Sequence, residues 1–95
     1  MPNLMENYIT IKPVAVWTAS GTKSATLFEV RYVNYQNGPA VADTHLWTAD
    51  ADGKPETEVG ASLVNATAEQ TAAWDGNDDV PFYKALAQNA GLSPA

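Results

Sequence analysis

The chain of 95 residues contains no cysteine. This absence excludes disulfide bonds, thiol nucleophiles and zinc sites built on cysteine. No stretch of the sequence matches a catalytic or ligand-binding motif of real specificity either. We therefore expect a protein that is not an enzyme and that has no cofactor, no metal and no catalytic residues.

Basic residues are also scarce. Five lysines and arginines stand against 11 acidic residues, which gives a net charge of −6, and the five are scattered along the chain. Binding to a phosphate backbone needs clustered positive charge. The composition therefore excludes nucleic acid as a partner, and the carboxylates are too sparse for a protein that mimics DNA.

Long hydrophobic runs are missing as well. The first residues, MPNLMENYITI, lack a charged region followed by an apolar one, and no run approaches the length of a membrane span. These absences predict a soluble protein that has no membrane partner and is made in the cytoplasm.

The residues that are present suffice for one small domain. Apolar residues make up 45% of the chain and include three tryptophans, which is enough for a single core. We predict an N-terminal arm over residues 1–7, one α+β domain over 8–92, and a frayed C-terminal tail over 93–95.

Residues 24–35, SATLFEVRYVNY, alternate and are rich in β-branched and aromatic types, so they predict a central strand. Turn-forming sequences separate this strand from its neighbours and predict strands at 8–17, 40–49 and 56–64. The predicted fold is a four-stranded antiparallel β-meander. Pro13 lies within the first strand and cannot donate to a ladder, so that strand should be at an edge or carry a bulge.

Three loops set the predicted register. We expect two-residue loops at Ser20-Gly21 and Asp52-Gly53, with a three-residue loop at 36–38 between them. The shorter Asn37-Gly38 alternative is disfavoured. The longer loop pairs Arg31 with Asp43, so that charged residues face charged residues and apolar residues face apolar ones. Together the loops predict one core face made of Ile9, Ile11, Phe28, Val30, Tyr32, Leu46, Val59 and Leu63.

After residue 65 the period changes to that of a helix. Thr67 and Gln70 have the spacing of a capping box, and Asp79 is a candidate N-cap for a second helix that ends at Gly91-Leu92 in a Schellman-like motif. These two short helices should cover one face of the sheet. Asp75 begins an acidic loop with some features of a calcium site, but the later ligand positions are wrong, so we assign it turn and cap roles.

The opposite face should carry Glu29, Arg31, Asp43 and His45 close together. Catalysis would need a nucleophile in a walled pocket, which an open sheet face does not offer. Cross-strand ion pairs explain these residues more simply.

Apolar residues flank this charged group in the predicted register. Two clusters around a charged centre resemble an interface with polar residues that fix its register, and we predict that Leu27 and Trp47 lie near the centre of a contact with another protein. An alternative is that the helices wrap further around the sheet or that the register differs. The two clusters comprise Val14, Val16, Leu27 and Trp47 at one end, and Tyr8, Val33, Val41 and Val64 at the other.

The C-terminal part carries Thr67, Glu69-Gln70, Trp74, Asp78-Asp79, Phe82-Tyr83, Ala87 and Gly91-Leu92. This order resembles the ending of small structural proteins of tailed bacteriophages, over about a third of the chain. The resemblance implies an oligomeric, non-enzymatic viral protein of the virion head, neck or tail that contacts copies of itself or other virion proteins. The alternative function is a small ligand-binding or inhibitory domain that uses exposed Trp17 or Trp47.

Overall fold

A computed structural model describes residues 7–34, 38–74 and 78–95. Its four strands form one antiparallel sheet in the order β1-β2-β3-β4, and two helices follow, so the predicted α+β meander is confirmed. Residues 1–6 of the predicted arm, most of the second loop and Asp75 lie outside the described residues. The elements are β1 (Tyr8–Thr18), β2 (Gly21–Asn34), β3 (Val41–Ala49), β4 (Pro55–Asn65), α1 (Ala68–Trp74) and α2 (Asp79–Asn89).

The first hairpin turns one residue earlier than predicted. Thr18 pairs with Gly21, whose positive φ of 110° favours glycine, so the two loop residues are at 19–20. The partners of β1 therefore differ from the predicted ones, but the shift is an even number of residues, so Ile9 and Ile11 remain on the core face as predicted. Pro13 lies in an irregularity between Thr10 and Val14 of this edge strand, as predicted.

Strands β2 and β3 pair as predicted from Leu27 to Val30, and then a bulge at Arg31 shifts the register by one residue. A shift of one residue exchanges the two faces. Tyr32 is consequently 64% exposed opposite Asp43, whereas Val33 faces Ala42 and packs against the core. The predictions that Tyr32 is a core residue, that Val33 faces outward and that Arg31 pairs with Asp43 are wrong.

The turn between β3 and β4 is longer than predicted. Asp50 and Lys54 form its closing backbone hydrogen bond, and Gly53 within it has a φ of 80°. This turn and the irregularities that follow it move most of β4 by one residue. Val64 is therefore buried in the core and Leu63 is 73% exposed, which reverses the predicted positions of both residues.

The core lies between the sheet and α2, and Trp74 of α1 packs against it. We call this side of the sheet the helix face and the other side the open face. On the helix face Phe28 is 1% exposed and packs with Leu86 of α2, which is fully buried. The larger set of buried residues in this core comprises Ile9, Ile11, Phe28, Val30, Ala40, Ala42, Val64, Ala66, Phe82, Tyr83, Leu86 and Ala87.

The ends of the helices follow the sequence signals closely. Thr67 and Gln70 form the predicted capping box, with backbone-to-side-chain hydrogen bonds of 2.9 and 3.0 Å in the two directions. The Leu92 N–H donates to the Ala87 carbonyl and Gly91 has a φ of 81°, which confirms the Schellman ending. Only the N-cap of α2 differs, because Asp78 occupies it in place of Asp79.

The sheet is strongly curved. Cα atoms of β1 and β4 come within 8 Å of each other, although the edges of a flat four-stranded sheet lie about 14 Å apart.

The C-terminal residues pair with the outer edge of β1. The Lys12 N–H donates to the Ser93 carbonyl, and the Ala95 N–H donates to the Thr10 carbonyl. The tail predicted to fray is thus an additional edge segment. No helix in the described part of the chain is long and apolar enough to cross a membrane.

Candidate functional site on the open sheet face

The open face carries a charged cluster at its centre, which we call the carboxylate–histidine cluster: Glu29, Arg31, Asp43, His45 and Glu58. The pairing of β2 with β3 places Glu29 directly opposite His45. The bulge aims the Arg31 side chain at the same spot, and β4 contributes Glu58. The meander therefore brings together three carboxylates, one guanidinium and the only imidazole of the chain.

Glu29 is the buried carboxylate of the cluster, with its side chain only 9% exposed. Its Oε1 accepts hydrogen bonds of 2.9 Å from Arg31 Nη2 and of 2.9 Å from Trp47 Nε1. The Trp47 ring also meets the Tyr8 ring edge to face at a centroid distance of 6.3 Å. Two donors, one of them charged, thus stabilise the buried negative charge.

These contacts change the acidity of the groups involved. Burial alone would raise the pKa of Glu29, but hydrogen bonds from Arg31 and Trp47 and the positive charge nearby outweigh it, so the pKa is below its ordinary value. The hydrogen bond to Glu29 raises the pKa of Arg31. Burial, followed by the charge of Glu29, raises the pKa of the Tyr8 phenol.

His45 has an unusual environment. Its side chain is 10% exposed, Nδ1 lies 2.6 Å from Glu58 Oε1, and Nε2 lies 3.0 Å from Asp43 Oδ1. Neither ring nitrogen nevertheless makes a hydrogen bond with acceptable geometry. A buried imidazole is thus close to two carboxylates but is not satisfied by them.

One ligand atom each from Glu29, His45 and Glu58 lie within 4.8 Å of one another. Such spacing can hold a cation as well as an ion-pair network. The predicted grouping of Glu29, Arg31, Asp43 and His45 is present, although Arg31 pairs with Glu29 and Glu58 in place of Asp43.

Glu58 is the member of the cluster that was not predicted from the sequence. A signal for it was available, because the predicted Asp52-Gly53 loop also places Glu58 opposite Trp47, and this pair is observed. The exposure of Tyr32 and Leu63 on the open face was not predicted either, because the predicted register places both residues in the core. They lie in one row across the open face, on either side of Asp43.

The predicted interface residues are less accessible than expected. Leu27 is only 2% exposed, so little of its side chain is available to a partner. Val64 belongs to the core cluster, and Val14 and Val33 pack against it. The remaining members are half-buried: Tyr8, Val16, Val41 and Trp47.

A cleft lies between the two helices. Its volume is about 520 Å³, and its walls include Gln70, Trp74, Pro81 and Phe82. The rings of Trp74 and Phe82 are stacked at a centroid distance of 4.4 Å. The cleft thus has an aromatic wall with a polar rim.

No protein family, no curated protein and no solved structure gives a significant match to this chain.

Proposed function

We propose that the protein is a non-enzymatic assembly module that acts in many copies, and that one of its contacts joins β4 to β4 of a second copy. The observation that carries this proposal is the difference between the two edges of the sheet. The β1 edge is interrupted near Pro13 and is paired with Ser93 and Ala95. Among the described residues no segment forms backbone hydrogen bonds with the outer edge of β4, although the Asn65 carbonyl at the end of the strand accepts a hydrogen bond from the Asn89 side chain.

The second half of β4 also lacks the features that normally protect an edge. Glu56, Glu58 and the irregular pairing lie in its first half, whereas residues 60–65, GASLVN, pair regularly with β3 and carry no charge or proline. Natural sheets use charges, prolines and bulges to prevent unwanted pairing at their edges. An unprotected half-strand is therefore suited to pair with another strand.

A second copy fits this edge by symmetry. In an antiparallel pair with a two-fold axis at Ser62, Leu63 of one copy lies opposite Ala61 of the other on a continuous open face. The glutamates of each β4 then lie outside the paired segment, so like charges do not face each other. The exposed side chain of Leu63 becomes buried in the dimer.

The test is the oligomeric state of the purified protein, measured by analytical ultracentrifugation from micromolar to millimolar concentration. Leu63→Lys places a charge beside the axis and should weaken the dimer by about 2 kcal/mol or more, about 30-fold in dissociation constant. The matched control is Val80→Lys, because Val80 is an exposed apolar residue that belongs to α2 and not to the sheet edge.

Two results would overturn the proposed contact. A protein that remains monomeric at millimolar concentration does not pair through this edge. A dimer that tolerates Leu63→Lys but is disrupted by Val80→Lys uses the helices for its contact.

The virion of a tailed bacteriophage is the setting that we propose for this assembly. The support is the resemblance of the C-terminal part, from Thr67 to Leu92, to small structural proteins of such phages. Mass spectrometry of purified virions from a host that makes the protein should find it in a fixed ratio to the major capsid or tail protein. Its absence from virions would contradict this setting and leave the edge contact to be judged by itself.

The helix cleft favours a second candidate function, a small ligand-binding domain. Its volume of about 520 Å³ lies within the range of small-molecule pockets, which is about 300–1,000 Å³. Trp74 forms part of its wall and makes a hydrogen bond of 3.0 Å to Asp79. A ligand screen by tryptophan fluorescence, with Trp74→Phe as the control, tests it; binding that survives in that variant would place the ligand elsewhere.

A further inference from the structure

We propose that Glu29, His45 and Glu58 form a binding site for a divalent transition-metal ion of the zinc class. The inference is independent of the assembly function. Two observations carry it: the mutual distances of the three ligand atoms, all within 4.8 Å, and the unsatisfied, nine-tenths buried imidazole of His45.

The three side chains are positioned by the sheet itself. Glu29 and His45 are direct cross-strand partners, and Glu58 follows on the neighbouring strand. Ligands about 2.0–2.2 Å from a tetrahedral zinc ion lie about 3.3 Å apart. The 2.6 Å between His45 Nδ1 and Glu58 Oε1 must therefore open slightly, which the 41% exposed side chain of Glu58 permits.

The two nitrogens of His45 then have different roles. Nδ1, beside Glu58, is the ligand, and Nε2 lies 3.0 Å from Asp43. Metal-binding histidines usually donate their other N–H to a carboxylate, which fixes the ring and increases its basicity. Asp43 is placed for this role, because its Oδ1 atom lies within hydrogen-bonding distance of Nε2.

Charge also favours a cation at this position. The cluster contains three carboxylates and one guanidinium, so negative charge is in excess. Arg31 Nη2 already bridges the two glutamates at 2.9 and 3.1 Å, which marks the position that a cation prefers. The Arg31 side chain is 46% exposed and can move into solvent when a divalent ion replaces it.

The donor set selects the class of metal. One imidazole nitrogen and two carboxylate oxygens suit zinc and the neighbouring transition metals, whereas calcium and magnesium prefer oxygen ligands alone. Three protein ligands also leave a fourth position of a tetrahedral ion open to water or to another protein.

The experiment uses the tag-free full chain, stripped with a chelator, and titrates it with Zn²⁺ by calorimetry. The NMR signals of the single imidazole report ligation directly, because the chain has only one histidine. We expect one site, with loss of binding in His45→Gln and binding weakened about 10–100-fold in Asp43→Asn. Arg31→Gln should instead bind Zn²⁺ several-fold more tightly, because it removes the competing cation.

The matched control is Asp52→Asn, which removes an exposed carboxylate of the hairpin loop outside the cluster and should leave binding unchanged. Circular dichroism confirms that each variant is folded. If His45→Gln does not fold, Glu58→Gln at the exposed edge of the cluster provides the same test. Equal Zn²⁺ affinity in the wild type and in the ligand variants would overturn the site, as would weaker binding in Arg31→Gln.

Discussion

The negative charge of Glu29 is largely removed from water and is stabilised by hydrogen bonds within the fold. Its side chain is 9% exposed, yet two hydrogen-bond donors reach its Oε1 atom, one from Arg31 and one from Trp47. A buried carboxylate without such partners would be strongly destabilising. Trp47 therefore has a role within the monomer, because its indole N–H satisfies Glu29. We expect Trp47→Ala to affect stability and not association alone.

The lowered pKa of Glu29 predicts how stability depends on pH. A glutamate in an unfolded chain has a pKa of about 4.3, and the pKa of Glu29 in the folded protein is lower. The ionised group therefore stabilises the fold above the unfolded pKa, and this contribution is lost as the pH falls through the folded pKa. Denaturant unfolding from neutral to acidic pH should show a decline that is smaller in Glu29→Gln than in the wild type.

The control for this measurement is Glu56→Gln, at an exposed position of β4 outside the cluster. It should leave the acidic decline close to that of the wild type. Parallel pH curves for the wild type and Glu29→Gln would show that Glu29 does not contribute to the acid sensitivity.

At the scale of elements, irregular pairing decides which side chains are buried. The bulge at Arg31 turns Val33 into the core and Tyr32 into solvent, and the changes in β4 do the same for Val64 and Leu63. Each exchange follows from a shift of one residue, because side chains on a strand alternate between faces. From Leu27 to Val30 the pairing of β2 with β3 is regular, and the predicted register is observed.

Strand β4 contains a glycine whose replacement tests the packing between β3 and β4. A methyl group at Gly60 would meet the Leu46 side chain at 3.5–3.9 Å, which is ordinary van der Waals contact, and φ there is not positive. Gly60→Ala should therefore stabilise the protein by about 0.5–1 kcal/mol, since it reduces the freedom of the unfolded chain. Chemical denaturation measures the change.

The same substitution at Gly53 serves as the comparison. Its φ of 80° is a conformation that residues with a side chain adopt at a cost, although space around it is open. Gly53→Ala should destabilise the fold by about 1 kcal/mol. A loss of stability in Gly60→Ala would mean that the Leu46 side chain cannot accommodate the methyl group.

At the scale of the whole molecule, the two edges of the curved sheet differ in their hydrogen bonding. The C-terminal residues return to β1 and pair across Ile11, while no described segment forms backbone hydrogen bonds with the outer edge of the regular half of β4. One edge is thus closed by the chain itself. The other edge is available for the contact proposed above.

Removing residues 93–95 should open the β1 edge. The deletion removes the hydrogen bonds of 2.8 Å from Lys12 to Ser93 and of 3.0 Å from Ala95 to Thr10. Two backbone hydrogen bonds are worth about 1–3 kcal/mol in the free energy of unfolding. Amide hydrogen exchange should show Lys12 losing protection, while Phe28 in the centre of the sheet stays protected. Unchanged exchange at Lys12 would contradict the pairing.

Features that depend on local physics could be predicted from the sequence alone. Strand alternation, the order of the hairpins, the Thr67 capping box and the Gly91 ending each follow from a few neighbouring residues, and the structure confirms them. The meeting of Glu29 and His45 was also predictable, because the pairing that sets it is regular from Leu27 to Val30.

The faces that side chains take beyond the irregular pairs depend on long-range packing and could not be predicted from the sequence. A bulge is favoured by the packing that it permits across the sheet, and no residue near Arg31 indicates a bulge in the sequence. The burial of Val33 and Val64, the exposure of Tyr32 and Leu63, and the approach of Glu58 to His45 all depend on this long-range packing. The local period stays at two along each strand, whereas the register is set by the core that the strands enclose together.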